Sequence, residues 1–325
     1  MNSPPVTGAV IIGRNEGDRL RLCLESVLTQ IAHVVYVDSG SSDNSVENAR
    51  SAGAEVVELD MSTPFTAARA RNAGLAALTQ SHEIDFVQFV DGDCVLHEGW
   101  IAHAVEFLSE HSDAGVAFGR LRERFPDASI YNRMCDWEWN SPVGITKSCG
   151  GIALMRVAAL NDVEGFDPSL IAGEEPELCV RLRRWHWQIW RLDHEMALHD
   201  AAMTRFDQYW KRARRAGHAF AEGSVMHGLP PERHYVSETR KALRWGLILP
   251  LLVLVMVCYI TPWAILLLML YPLQVVRLAL RDGGNRDAWE RALLLVVGKF
   301  AEMTGILEYW WRRLFNRRGK LIEYK

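Results

Sequence analysis

Five short apolar runs punctuate the first half of the chain: AVIIG (9–13), HVVYV (33–37), EVVEL (55–59), IDFVQFV (84–90) and GVAFG (115–119). Leu20, Leu24, Val27, Leu28 and Ile31 follow the first run at the spacing of one helical face, and further helical stretches separate the later runs. Near-continuous apolar strands joined by helices predict a parallel sheet covered on both faces, as in a doubly wound α/β domain. Ligands of such sheets bind beyond the carboxyl ends of the strands. The unusual residues of this chain stand at those ends: GRNEGD after the first run, DSGSSDNS after the second and DGDC after the fourth.

A different pattern begins after Arg244. Trp245 to Val276 is a stretch of 32 residues without a charge, longer than the roughly 20 that one spanning helix needs. Pro250, Pro262 and Pro272 interrupt it, and basic residues flank both ends: Arg240, Lys241 and Arg244 before, Arg277, Arg281 and Arg286 after. A single tilted span would put one basic cluster on the wrong face, so the pattern favours two short helices that enter and leave a membrane on the same side. The segment beyond it mixes apolar and charged residues at helical spacing, which suits a helix lying on a membrane or one packed on the preceding domain. The expected organisation is therefore an α/β domain over residues 1–235 and a membrane-associated helical region over 236–325.

Composition adds boundaries. The 36 basic and 40 acidic residues give a net charge of -4, which excludes a whole-chain nucleic-acid footprint. Residues 277–325 carry 11 Lys/Arg against 6 Asp/Glu, together with Trp289, Trp310 and Trp311, a composition suited to an anionic membrane surface. The 6 cysteines form no CxxC pair, as expected of reduced intracellular thiols, and the N-terminus has no basic segment followed by an apolar core.

Asp91 and Asp93 end an apolar strand with only Gly92 between them. Carboxylates this close repel unless a cation relieves them. Hard oxygen ligands suit Mg²⁺ or Mn²⁺ carrying a substrate diphosphate; an acidic turn capping a helix from about His97 is the plainer reading. Asp38 ends the second strand before a Gly/Ser turn with a helix N-cap at Ser42 or Asp43. Arg69 and Arg71 stand ahead of an apolar helix, where a guanidinium can fork onto phosphate or ribose oxygens.

The succession VIIGRNEGDRLRLCLESVL, VVYVDSGSSDNS, ARARNAGLAAL, FVQFVDGDC and GFDPSLIAGEEPELCVRLRRWHWQIWRLD resembles the family 2 glycosyltransferases of GT-A fold, over roughly residues 8–225. That resemblance implies a Rossmann-like nucleotide-diphospho-sugar transferase domain and inverting transfer with Mg²⁺ or Mn²⁺. It implies that Asp38 contacts the base of the nucleotide, with Gly13, Arg14 and Glu16 lining the same pocket. Arg71 would steady the ribose or diphosphate, Asp91 face the ribose and sugar, and Asp93 ligate the metal. Glu175 matches the catalytic base. Independently, Pro176 suits the first position of a helix, which puts Glu175 at the N-cap, where the helix dipole favours an ionised carboxylate.

The chain departs from the family pattern in two places: Ser39 follows Asp38 where a second aspartate is common, and Glu175 replaces the usual Asp. His199, in LHDAAMTRF, is a further candidate ligand for metal or phosphate. The run Lys211, Arg212, Arg214 and Arg215 is either a solvated helix face or an acceptor-phosphate contact. QYWKR stands where processive members carry Gln-x-x-Arg-Trp, so limited addition is expected. A nicotinamide oxidoreductase is disfavoured because no GxGxxG follows the first strand. The expected partners are a nucleotide-diphospho-sugar donor, a lipid-linked or saccharide acceptor and the cytoplasmic face of the inner membrane. Transfer to a polyprenyl phosphate and a non-catalytic membrane scaffold are the alternatives.

Overall fold

The computed structural model describes residues 4–315; residues 1–3 of the expected first domain and 316–325 of the basic tail lie outside the described residues. The chain divides into two compact units, Met1–Phe125 with Cys135–Ala201 and Pro126–Met134 with Ala202–Lys325. The boundary expected after residue 235 and this division fall on either side of the helix Phe206–His227.

The first unit follows the order β1 (Thr7–Gly13), α1 (Asp18–Leu28), β2 (His33–Asp38), α2 (Ser45–Ala52), β3 (Glu55–Glu58), α3 (Ala67–Ser81), β4 (Phe86–Asp91), β5 (Cys94–Leu96), α4 (Trp100–Glu110) and β6 (Ala114–Glu123). It continues through the second half of α5 (Ile130–Glu138), whose residues up to Met134 belong to the second unit, and then β7 (Gly144–Thr146), β8 (Ala153–Arg156), α6 (Val157–Asp162), α7 (Glu174–Arg184) and β9 (Gln188–His199). The sheet order is β3-β2-β1-β4-β8-β6-β9-β5, with β7 paired to β9. The four strands β3, β2, β1 and β4 are parallel as the apolar runs predict. Between β4 and β6, however, lies β8, antiparallel to both, so the sheet is mixed. Its four residues are too few to show a period of their own.

Two packing details hold the parallel strands in place beneath their carboxyl ends. Gln88, the polar residue inside FVQFV, is fully buried because its Oε1 accepts the indole N–H of the buried Trp100 at 2.9 Å and its Nε2 donates to the Phe89 carbonyl. Helix α3 lies directly on the parallel strands through glycines: a Cβ at Gly8 would stand 2.5 Å from Leu78, and one at Gly74 would strike Val10 and Val37.

Three local expectations are corrected. The N-cap of α2 is Asn44, and Ser42 and Asp43 lie in the turn before it, where the Asp43 carboxylate accepts from Ser45 N at 3.0 Å and Gly17 N at 3.2 Å. Arg69 and Arg71 lie inside α3, whose N-cap is Thr66, with its hydroxyl accepting from Arg69 N at 3.1 Å. Helix α7 starts one residue before Glu175, because Gly173, at φ 79°, serves as its N-cap. Glu175 is therefore in the first turn.

The second unit carries α8 (Phe206–His227), α9 (Val236–Leu243), α10 (Leu249–Tyr259), α11 (Leu270–Arg281) and α12 (Arg286–Leu314). A π-helical turn, Arg244–Ile248, joins α9 to α10, and a 3₁₀ segment, Pro262–Met269, leads into α11. The Tyr271 hydroxyl donates to the Trp245 carbonyl at 2.6 Å, so the second apolar arm turns back along the first. Helices α8 and α12 meet through backbone: a Cβ at Gly217 would strike the Glu302 carbonyl, and one at Gly305 the Arg214 carbonyl. Tyr209 donates to the Leu294 carbonyl at 2.5 Å, and Arg214 pairs with Glu308 at 2.7 Å. The amphipathic segment after the hairpin thus buries its small-residue face, Ala288, Ala292, Gly298, Ala301 and Gly305.

Candidate active site

Register brings the first group of residues together. Gly13 pairs with Asp38 and Ile12 with Asp91, so the carboxyl ends of β1, β2 and β4 form one rim. Asp38 is buried and fully engaged by its own turn. One oxygen accepts from Gly40 N at 2.9 Å and Ser41 N at 2.8 Å; the other accepts from Tyr36 Oη at 3.0 Å and Ser41 Oγ at 2.5 Å. Asn15, at φ 55°, ties the adjacent loop to this turn by accepting from Ser42 N at 2.7 Å and donating its own N–H to Ser41 Oγ at 2.9 Å. Glu16 pairs with Arg19 at 2.8 Å and leans over Gly13 and Gly92, where added Cβ atoms would each stand 3.2 Å from its Cγ. Arg14 is exposed on the same rim.

A second group is built around Arg71, which is buried to 3% exposure. Its guanidinium meets Asp91 at 3.1 Å, Glu175 at 2.8 Å and Glu174 at 3.3 Å, and stands 5.6 Å from the centre of the Phe166 ring. Burial alone would lower the Arg71 pKa, but Glu175, Asp91 and Glu174 outweigh it and raise it, so the cation persists. Three carboxylates around one cation leave an excess of negative charge. Burial pushes the Glu175 carboxyl up to about 7, Glu174 pushes the same way, and Arg71 opposes. The helix dipole expected to keep Glu175 ionised is thus outweighed by desolvation. The backbone of Gly151 closes over this group: a Cβ there would stand 2.5 Å from Arg71 Nη2, 3.0 Å from Glu175 Oε1 and 3.2 Å from Asp91 Oδ2.

Asp93 belongs to a third group. Cys94 and His199 face each other across β5 and β9, which brings His199 Nε2 to 3.2 Å from Asp93 Oδ1. The ligand atoms of Asp93, Cys94 and His199 all lie within 4.8 Å of one another. Burial raises the Cys94 thiol well above its usual range, and of the three groups the Asp93 oxygen and the His199 nitrogen are the donors that hard cations prefer. That oxygen and nitrogen pair fits Mn²⁺ or Mg²⁺, with water and phosphate completing the shell. The Trp139 ring packs edge-to-face on His199, 4.7 Å between centroids.

The structure thus gathers Gly13, Glu16 and Asp38 at one stretch of rim, Arg71, Asp91 and Glu175 at another, and Asp93 with His199 beyond Gly92. Reading the sequence missed Glu174 as a partner of Arg71 and Gly151 as its cover. The only signal for the latter is the Gly150-Gly151 dipeptide.

Residues 9–160 match the family Glycosyl transferase family 2, and this part of the chain is a glycosyl transferase family 2 domain, as the first four motifs predict; the fifth, which carries Glu175, lies beyond the matched residues. A pre-mycofactocin glycosyltransferase from Mycobacterium tuberculosis is 29% identical over 187 residues, 53% of this chain, and the match spans only 38% of that relative's length. The glycosyltransferase AglE of Haloferax volcanii is 24% identical over 74% of this chain and 72% of its own. Among solved structures, the mannosyltransferase PcManGT from Pyrobaculum calidifontis, in complex with GDP-Man and Mn²⁺, superposes with a TM-score of 0.61 at 16% identity, covering 96% of this chain and 89% of that one. Glucosyl-3-phosphoglycerate synthase from Mycobacterium tuberculosis, in complex with phosphoglyceric acid, gives 0.51 at 17% identity, covering 70% and 81%. These likenesses establish the GT-A fold.

Proposed function

We propose that the chain transfers a sugar from a nucleotide-diphospho-sugar to a hydroxyl of a lipid-linked or saccharide acceptor, with inversion at the anomeric carbon. One observation carries this reading: a carboxyl raised to about 7, Glu175, is held by a buried arginine that also holds Asp91, two residues from the Asp93 and His199 pair. A base with a pKa near the working pH is ionised often enough to act and basic enough to take a hydroxyl proton. In the proposed step the acceptor oxygen bonds to the anomeric carbon, its proton passes to Glu175, and the bond to the diphosphate oxygen breaks with its electron pair leaving on the nucleotide. Arg71 acts as a positioning residue that sets the direction of Glu175 and Asp91. Asp93 and His199 would hold the Mg²⁺ or Mn²⁺, which when bound offers Lewis acidity toward the departing diphosphate.

Asp38, with Gly13, Arg14 and Glu16, lines the nucleotide end of the site in this reading. Its engaged carboxylate supports a role in shaping the turn against which a base would rest. The site works at the cytoplasmic face of the inner membrane, where the apolar hairpin keeps the chain near its acceptor.

The test is a transfer assay on the full-length chain with a panel of nucleotide sugars and Mn²⁺, the product's anomeric configuration being read by NMR. Inverted product, lost in Glu175→Gln and Asp93→Asn, is expected. Retained configuration, or undiminished transfer to a hydroxyl acceptor in Glu175→Gln, overturns the base assignment. Survival of that variant with a polyprenyl phosphate alone would replace the hydroxyl acceptor by an anionic one.

A further inference from the structure

The apolar hairpin has a length, a tip and a pair of ends that together fix how deep it sits. No charged side chain lies between Trp245 and Val276, and Leu254, Val255, Ile265 and Leu266, on both arms, are each at least half exposed. The most apolar windows of Val236–Tyr259 and Pro262–Arg281 are only 17% and 11% buried, so these are not core helices of the second unit. A helix apolar on every side needs an apolar surrounding.

Reach follows from helix geometry. Arg244 to Tyr259 rises about 22 Å at ~1.5 Å per residue. The returning arm, a 3₁₀ segment at ~2.0 Å per residue followed by α-helix, reaches Val276 over about 26 Å. A hydrocarbon core is about 30 Å thick, and the remaining gap is within the span of the Arg244 and Arg277 stems, which keep their charges in water while lying along apolar surface.

The tip decides between stopping inside the core and emerging. Tyr259, Ile260 and Trp263 are 85%, 71% and 74% exposed there, and Thr261 is extended at φ -160°. Tyrosine and tryptophan favour the headgroup level. The last carbonyls of a helix ending at such a break lack intrahelical partners, and hydrocarbon offers none.

We propose that the hairpin crosses both leaflets of an anionic phospholipid bilayer. Arg240, Lys241, Arg244, Arg277, Arg281 and Arg286 lie at the anionic headgroups where it enters and leaves, and Tyr259 and Trp263 at the opposite headgroups. This rests on the membrane association proposed above and goes beyond it in depth and sidedness. Its failure would leave the transfer chemistry standing, because the assay above needs no sidedness.

The chain carries its own probe. Of its cysteines, Cys258, one residue before the tip, is exposed, and the other five are buried. The full-length chain is reconstituted in sealed vesicles of phosphatidylethanolamine and phosphatidylglycerol, and the population whose globular part is cut by added protease is followed. A membrane-impermeant maleimide trapped inside should label Cys258, the same reagent outside should not, and Cys258→Ser should lose the label. Thr261→Cys in that background should restore labelling from inside. Labelling from outside, or labelling by a permeant maleimide alone in both variants, overturns the crossing. A soluble oligomer that ignores the vesicles overturns it in favour of a second copy as the occupant.

Discussion

Glu175→Gln is expected to stabilise the fold at neutral and alkaline pH while slowing the proposed transfer. The parent holds three carboxylates around one guanidinium, and the variant holds two. In the native state the Glu175 carboxyl is raised from 4.5 to about 7 by burial, assisted by Glu174. Between those values the native state binds a proton that the unfolded chain does not. The resulting stability is fully present below 4.5 and is lost as pH rises through about 7. At about 1.36 kcal/mol per pH step, the gap amounts to about 3 kcal/mol. Glutamine keeps the shape and never acquires the buried charge. The variant should match the parent near pH 4.5 and exceed it by about 3 kcal/mol at about pH 8. Urea titrations of both chains in one mild detergent, followed by tryptophan fluorescence at a series of pH values, give the difference directly. A variant less stable than the parent at about pH 8, or a difference that ignores pH, refutes the reasoning. On the proposed function the same variant loses about 10²- to 10⁴-fold in transfer rate, the usual share of a general base.

The remaining expectations concern the neighbours of that residue and the second unit. The acid limb of kcat/KM should lie near 7, and Glu174→Gln should move it to lower pH by removing a repelling charge; a pH profile with an unmoved limb would contradict the shared hold on Arg71. Gly151→Ala puts a methyl 2.5 Å from Arg71 Nη2, so transfer should fall about tenfold or more while the circular dichroism spectrum stays that of the parent. Gly305→Ala forces α12 off the Arg214 carbonyl and should cost about 1–3 kcal/mol in denaturant unfolding, the range of overpacked interiors.

The parallel strands and the residues after them were legible because apolar runs and their terminal carboxylates are local signals. Asp38 and Asp91 each follow an uninterrupted run of buried residues, and strand register alone then puts them on one rim. What was not legible depends on tertiary approach. Glu174 and Glu175 share Arg71 only because α7 and α3 meet, over a separation of 103 residues for the Glu174 contact. Helix α7 starts at Glu174, two residues earlier than Pro176 at a first helical position predicts, because a glycine with positive φ takes the cap. Desolvation, the cause of the raised Glu175 pKa, has no trace in a string of residues. The strand β8 escaped because four residues between two others carry no periodicity. The pairing of α8 with α12 depends on glycines, whose significance appears once the two backbones touch, and on contacts such as Arg214 with Glu308 that lie 94 residues apart.

Gly74 lies about one turn along α3 from Arg71, pressed onto Val10 and Val37. The guanidinium therefore takes its height from a neighbouring contact of its own helix that is made wholly of hydrocarbon. Any bulk introduced there would tilt the rod and carry the cation away from its acids. A lesion in the packed interior would then register as an enzymatic defect, although no polar atom had been altered.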